Sequence, residues 1–382
     1  MQVSAGDIRR AHERFGRIDE IIAQRRTVYA VAVELFGRAG DAADLGDDVL
    51  DNPAVRGHLG EVLSGPAALS PGRLRSLNGL VADGFATVVG GCPVRLASTP
   101  SAATVLAPAL RKVGAELERH GDENRLALLT SDAGPAIAEA WHHVVEGVRL
   151  AAHVAPDLAL DLLPHVALFG VTAHGGSARL GSASAREFPG LVLIPAPHSA
   201  LEVAEALIHE GAHSKFFDMG TVRSLLGPLT ATGPRFLPSW APPSAPSWPV
   251  EQALAAWHAY CCLAAFARSL RKHSEWSLLP EDSLLPKAGD RVREIGRWLR
   301  LHGPFLGADA HELIAVLDGE RPRDPVLSDH EGDVRLAQRA VADPGFLVRP
   351  SGSRVLLARR GGTPPELLWA DRAALGAALG GR

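Results

Sequence analysis

The segment that most constrains this chain is GLVLIPAPHSALEVAEALIHEGAHSKFFDM, residues 190–219. Its opening apolar run, Leu191 to Ile194, reads as a buried strand, and Ser199 follows as an N-cap before a helix. Leu201, Val203, Ala204, Leu207, Ile208 and Ala212 make that helix too apolar for a free surface, so the fold must wrap around it. His209, Glu210 and His213 are set into this apolar body in the order H-E-x-x-H. Residues four apart share a helix face, so the two imidazoles can bind one ion. Glu210 lies on the adjoining side, within reach of a metal-bound water. A chance H-E-x-x-H on a solvated helix would be ordinary polar surface; the apolar body and the preceding strand argue for a metal site.

A chain of 382 residues, 46% of them hydrophobic, can bury a core without disulfides and has room for two domains. Its three cysteines, Cys92, Cys261 and Cys262, cannot all pair, and two are adjacent. That points to a reduced, cytoplasmic location. The N-terminus is charged throughout and lacks the apolar region of a secretory signal. No run of about 18 apolar residues predicts a membrane span. A net charge of -4 argues against nucleic acid as the partner.

Apolar spacing predicts helices over 5–40, ending in Gly40, and over 70–91, with Ser70 as N-cap and Pro71 at the first helical position. A third covers 131–157, opened by Ser131 and Asp132 and ending near Pro156. The glycine-rich texture of 165–197 predicts a small antiparallel sheet whose last strand is 190–195. The proline-rich 233–249 cannot be helical. A strong helix follows over 250–273, with further helices to about residue 343, a hairpin over 345–362 and a terminal helix over 364–380. The expected fold is mainly α within the α+β class: a helical region, 1–160, then a zincin-like core, 161–345, with a small antiparallel sheet and the H-E-x-x-H helix. A C-terminal hairpin and helix, 346–382, complete it.

A catalytic metal normally takes a third protein ligand, and no histidine follows His213 at metzincin spacing. The best candidate is His258, among Ala255, Ala256, Ala259 and Leu263 on the next strong helix. Glu251, two turns earlier on the same face, is its rival, and Cys262 a weaker one. His142 and His143 fit a surface or interface better than a ligand set. GGSARLG, which follows His174, lacks the lysine and helix of a phosphate loop and reads as a hairpin turn.

The ordered set of LIHEGAHSKF, a Ser-Trp-Pro segment and LAAWHAYCCLAAFARSL resembles the H-E-x-x-H proteins of ribosomal peptide natural-product pathways. Some of these are iron and 2-oxoglutarate-dependent peptide β-hydroxylases. The resemblance covers about residues 165–270. It includes Lys215 and Phe216 after the second histidine, and His258-Ala259-Tyr260 where the family has His-Gly-x-Tyr. It implies Fe(II) on His209, His213 and His258, 2-oxoglutarate as co-substrate and a ribosomal precursor peptide as partner. Where the family carries Pro-Trp-Arg and Arg-Pro, residues 239–249 contain no arginine. A guanidinium for the co-substrate carboxylate then has to come from elsewhere. Arg235 is nearest; Lys215 should point away from the metal, and Arg268 lies nearly three turns beyond His258.

Two other readings share these residues. A zinc peptidase would use the same ligands, with Glu210 as general base and a peptide paired to the edge of strand 190–195. A non-catalytic peptide-binding module would keep only a relict metal site. The missing export signal favours intracellular peptide modification.

Overall fold

The structure is a computed structural model that describes residues 3–15, 17–37, 45–64, 69–118, 126–173, 181–242, 245–319, 346–352, 354–359 and 366–371. Helices α1 (Ala5–Phe15), α2 (Ile18–Phe36), α3 (Asp47–Asp51), α4 (Pro53–Ser64) and α5 (Pro71–Ala82) lead into a hairpin of β1 (Phe85–Val89) and β2 (Cys92–Ala97). Next come α6 (Pro100–Glu118), α7 (Pro135–Val154), α8 (Pro156–Leu162), β3 (Leu168–Thr172) and β4 (Leu191–Pro195). The H-E-x-x-H stretch is α9 (Ala200–Val222), followed by α10 (Val250–Leu270), α11 (Ala288–Leu301) and α12 (Ala308–Leu317). Strands β5 (Phe346–Ser351), β6 (Arg354–Arg359) and β7 (Glu366–Asp371) form a separate antiparallel sheet. Among the described residues no helix is long and apolar enough to cross a membrane.

The site helix α9 starts where its cap predicts. Ser199 Oγ accepts from the Glu202 backbone N–H at 3.3 Å, and the Glu202 carboxylate accepts from the His198 N–H at 3.0 Å, so two groups at the helix entry are satisfied together. Its far end is held by the C-terminal sheet: Arg354 donates to the carbonyl of Val222, and Trp369 Nε1 donates to that of Thr221 at 3.2 Å. Last-turn carbonyls have no partner within a helix, so these bonds supply one from outside.

Several expected elements differ. The helix expected over 5–40 is two, α1 and α2, and Gly37 ends the second; Gly40 lies outside the described residues. The helix expected over 70–91 stops at Ala82, and Phe85–Val89 is a strand. β-Branched Thr87, Val88 and Val89 favour the pleat, and Gly90 and Gly91, at φ 58° and 83°, close the two-residue turn onto β2. Helix α7 starts at Pro135, after a short 3-10 turn at Ser131–Ala133. Within the helix expected over 364–380, Glu366–Asp371 is instead a strand that adds a third member to the sheet beside β6, Trp369 facing Leu356. Residues 372–380 of that expected helix, and His174 to Leu180, lie outside the described residues.

The sheet before α9 is four-stranded and mixed, in the order β1-β2-β3-β4, with β3 parallel to both neighbours. The antiparallel expectation for it is corrected. Leu168–Thr172 and Leu191–Ile194 are buried without alternation, the pattern of strands covered on both faces, as parallel strands are. One apolar core takes in Val3, Ile8 and Ala11 of the N-terminal region, Val144 and Val148 of α7, Leu207 and Ile208 of α9, Trp257 of α10 and Leu313 of α12. Residues on both sides of the boundary expected at 160/161 therefore share it.

Helix α7 crosses α9 at Gly147, where a Cβ would sit 2.6 Å from the Ala200 carbonyl oxygen and collide with Val203. Only a glycine allows this approach. Gly147→Ala is expected to lower stability by about 1–3 kcal/mol, the usual range for overpacking, measured as a fall in the urea midpoint; an unchanged midpoint would show that the crossing is loose.

Candidate metal centre

The α9 helix brings His209 and His213 together with their Nε2 atoms 3.1 Å apart. Two imidazole nitrogens about 2.05 Å from one ion stand roughly 2.9–3.3 Å apart, between octahedral and tetrahedral angles, so the pair fits a divalent cation. Both rings are half-buried, with Phe217 stacked on His213 at 6.1 Å and Tyr260 packed on His209 at 5.7 Å. Burial pushes both pKa values down to about 4, His209 further depressed by Arg291 and His213 by His209. Neutral imidazoles are the form that binds metal.

Glu210 is 3% exposed, and each of its carboxylate oxygens accepts a serine hydroxyl. Ser182 donates to Oε1 at 2.8 Å and Ser184 to Oε2 at 2.6 Å. Between them, Ala183 exchanges two backbone hydrogen bonds of 2.8 Å with Leu193 of β4. One short segment thus pins the glutamate and covers the middle of the outer edge of β4. The edge pairing expected for a peptide at strand 190–195 is already made at Leu193 by the chain itself.

The cation beside the histidine pair is Arg291, from α11. Its guanidinium lies 4.9 Å from the ring centre of Trp240 and 5.1 Å from that of Tyr260, and it donates to the Tyr260 hydroxyl. Its charge reaches His209. Arg235 is exposed, and its guanidinium is engaged by the hydroxyl and carbonyl of Ser247. Lys215 is buried with Nζ 2.6 Å from Asp161, away from the histidine pair, as the helical spacing predicts. Arg268 lines a different surface pocket with Arg271 and Arg293.

His258 is fully buried, but the ring nitrogen that has a partner points to the N-terminal helix. Its Nε2 is 2.8 Å from Nε2 of His12 on α1, whose Nδ1 bonds Asp161. His258 and Tyr260 stand roughly 200° apart around α10, so when Tyr260 packs on His209 the histidine faces α1. Nδ1 of His258 is buried and has no protein partner. Burial, with the charges of His12, Lys215 and His213, pushes its pKa well down, so His213 lies within electrostatic reach. Among the described residues no three of His, Cys, Asp or Glu stand ready-arranged to hold an ion. Of the rival ligands, Glu251 is ion-paired to Arg186, and the Cys262 thiol is fully buried with its pKa raised by burial. His142 is exposed and its ring lies beside that of His143, as expected of a surface pair.

Sequence reasoning did not identify Ser182, Ser184, Arg291, His12 or Asp161. None stands at a recognisable spacing from the motif; the fold alone unites them. Comparisons with protein-family profiles and with curated proteins find no match.

Just past the pair, Asp218 accepts from Arg25 and Arg56 and bonds His165 Nδ1 at 2.6 Å, all four residues buried. His165 is also pushed down to about 4 by burial, against the pull of Asp218. A histidine whose folded pKa lies below its ordinary 6.5 stabilises the fold above that pH and loses the contribution as pH falls towards 4. In that window the unfolded chain binds more protons. The urea midpoint of the metal-free protein should therefore fall from pH 6.5 to pH 4, with proton uptake on unfolding; a flat profile would contradict buried neutral histidines.

Proposed function

We propose that this protein is a metal-dependent oxygenase, Fe(II) and 2-oxoglutarate-dependent, that hydroxylates a side-chain β-carbon in a ribosomally made peptide. His209 and His213 hold the ion through the convergent Nε2 atoms, and His258 supplies the third nitrogen after a local adjustment of α10. The bound ion with its 2-oxo acid supplies the oxidising power: 2-oxoglutarate, O2 and R–H give succinate, CO2 and R–OH.

The observation that carries this reading over a zinc peptidase is the state of Glu210. A general base needs a carboxylate oxygen free to take a proton from water. Here both oxygens accept serine hydroxyls, which occupies a lone pair on each and fixes their direction. Glu210 then acts as a strut between α9 and the edge of β4, holding the two histidines that flank it in sequence. The role expected of Arg235 passes to Arg291, a guanidinium pre-oriented against two aromatic faces beside His209. It suits a carboxylate whose other end chelates the ion. The peptide runs over the outer side of segment 181–185, since the inner side is paired to β4.

Two substitutions test the assignment. Glu210→Gln should keep more than about a tenth of the hydroxylation rate, followed as gain of one oxygen by mass spectrometry. A peptidase base would lose roughly 10²–10⁴-fold in cleavage. Arg291→Met should raise the dissociation constant of 2-oxoglutarate about 10- to 100-fold, as loss of a charged hydrogen bond does, with Fe(II) affinity within about twofold; an unchanged constant would contradict the role of Arg291. Loss of all activity in Glu210→Gln, with peptide cleavage by the unaltered protein, would establish the peptidase.

A further inference from the structure

Behind His258, the proposed third ligand, the hydrogen-bonded series His12–Asp161–Lys215 has no part in the chemistry described so far. Asp161 is held on both oxygens: Lys215 Nζ donates to Oδ1 at 2.6 Å, and His12 Nδ1 bonds Oδ2. Lys215 and His258 are fully buried, His12 is 2% exposed and Asp161 14%, so the His12–His258 contact itself is closed to water. A carboxylate ion beside an ammonium accepts and does not donate. In a neutral His12 imidazole the one proton therefore sits on Nδ1, which leaves Nε2 of His12 as a lone-pair acceptor. The nitrogen facing it at 2.8 Å, Nε2 of His258, must then be the donor. That assigns the bare lone pair of His258 to Nδ1, the atom that is buried without any protein partner.

We propose that Asp161 and His12 form a relay that fixes His258 in its Nε2–H tautomer, so that Nδ1 is the atom it presents to the metal. It rests on the reading of His258 as third ligand made above. Metal-bound histidines as a rule donate their second N–H to a carboxylate or another acceptor, which fixes ring orientation and raises basicity. Here the acceptor is itself a histidine, backed by a carboxylate and a lysine from two other positions in the chain. His12 is thus a positioning residue supplied by the first helix, 246 residues from its partner in sequence. A bare Nδ1 lone pair in an apolar interior is stable as a metal ligand and otherwise lacks a partner. The Lys215 charge has its own part, since it keeps Asp161 ionised while the relay is neutral.

The direct test reads the unaltered protein and uses a variant only to assign its signals. Long-range 1H–15N correlation of 15N-histidine-labelled, metal-free full-length protein, assigned with His258→Gln, reports which ring nitrogen carries the proton. The expected result is an Nε2–H tautomer for His258 and an Nδ1–H tautomer for His12; Nδ1–H on His258 overturns the proposal. The functional arm is anaerobic titration with Co(II) alone as probe. His12→Leu, which cannot accept the bond, should weaken Co(II) about 10- to 100-fold at unchanged one-to-one stoichiometry, the usual effect of losing such a partner. His12→Gln, whose amide oxygen can replace the acceptor, should recover most of the affinity. A helix clamp of purely structural role would shift the urea midpoint and leave Co(II) affinity and the tautomer alone, which also overturns the proposal. If His258→Gln binds Co(II) as tightly as the unaltered protein, the third-ligand reading itself fails, and the tautomer result still stands or falls by itself.

Discussion

Two opposite charges buried three residues apart on one helix, Lys215 and Asp218, set the terms for the rest of the structure. An unpaired ion in such a place costs several kcal/mol, and removing one partner of a buried pair typically costs about 3–5 kcal/mol. Their partners must therefore arrive with the fold: Asp161 from α8, Arg25 from α2, Arg56 from α4 and His165 from the turn before β3. Four separate pieces of chain are drawn onto the last half of α9. The first half is fixed by apolar contact with α7 and by the Ser199 cap. His209 and His213 lie between these two regions, on a helix that cannot roll without breaking one of them.

This arrangement explains why the N-terminal helices do not stand apart from the candidate centre. The α1 helix delivers His12 to His258, and α2 delivers Arg25 to Asp218. The α2 helix also carries the C-terminal sheet, where Val28 and Val31 pack against Leu356 and Ala358. That sheet in turn binds the last carbonyls of α9. On the opposite side, segment 181–185 ties Glu210 to β4. The centre is thus reached by groups from nearly the whole length of the chain, while only three of them belong to the motif.

What the sequence made legible was local. The cap at Ser199, the apolar body of α9, the strand before it and the H-E-x-x-H face follow from spacing within a few residues, and they stand as expected. The proline-rich loop and α10 were equally plain. Strand direction was not, because Val192 and Phe169 face one another through pairing between distant segments that no local pattern encodes. The strand β1 was hidden by the apolar spacing of α5 running into it, although Gly90-Gly91 marked its turn. Arg235 was the nearest cation by count, yet Arg291, 82 residues after His209, is the one brought to it. Lys215 reads as a surface charge in a polar context; its burial follows from Asp161, which the sequence places 54 residues away.

The measurement that tests the central claim most directly is anaerobic reconstitution of the full chain with Fe(II), followed by 2-oxoglutarate, with the visible spectrum recorded. A weak charge-transfer band from a chelated 2-oxo acid, absent in His209→Ala, is the result this account predicts. No band, with tightly held stoichiometric zinc in the protein as purified, would contradict it.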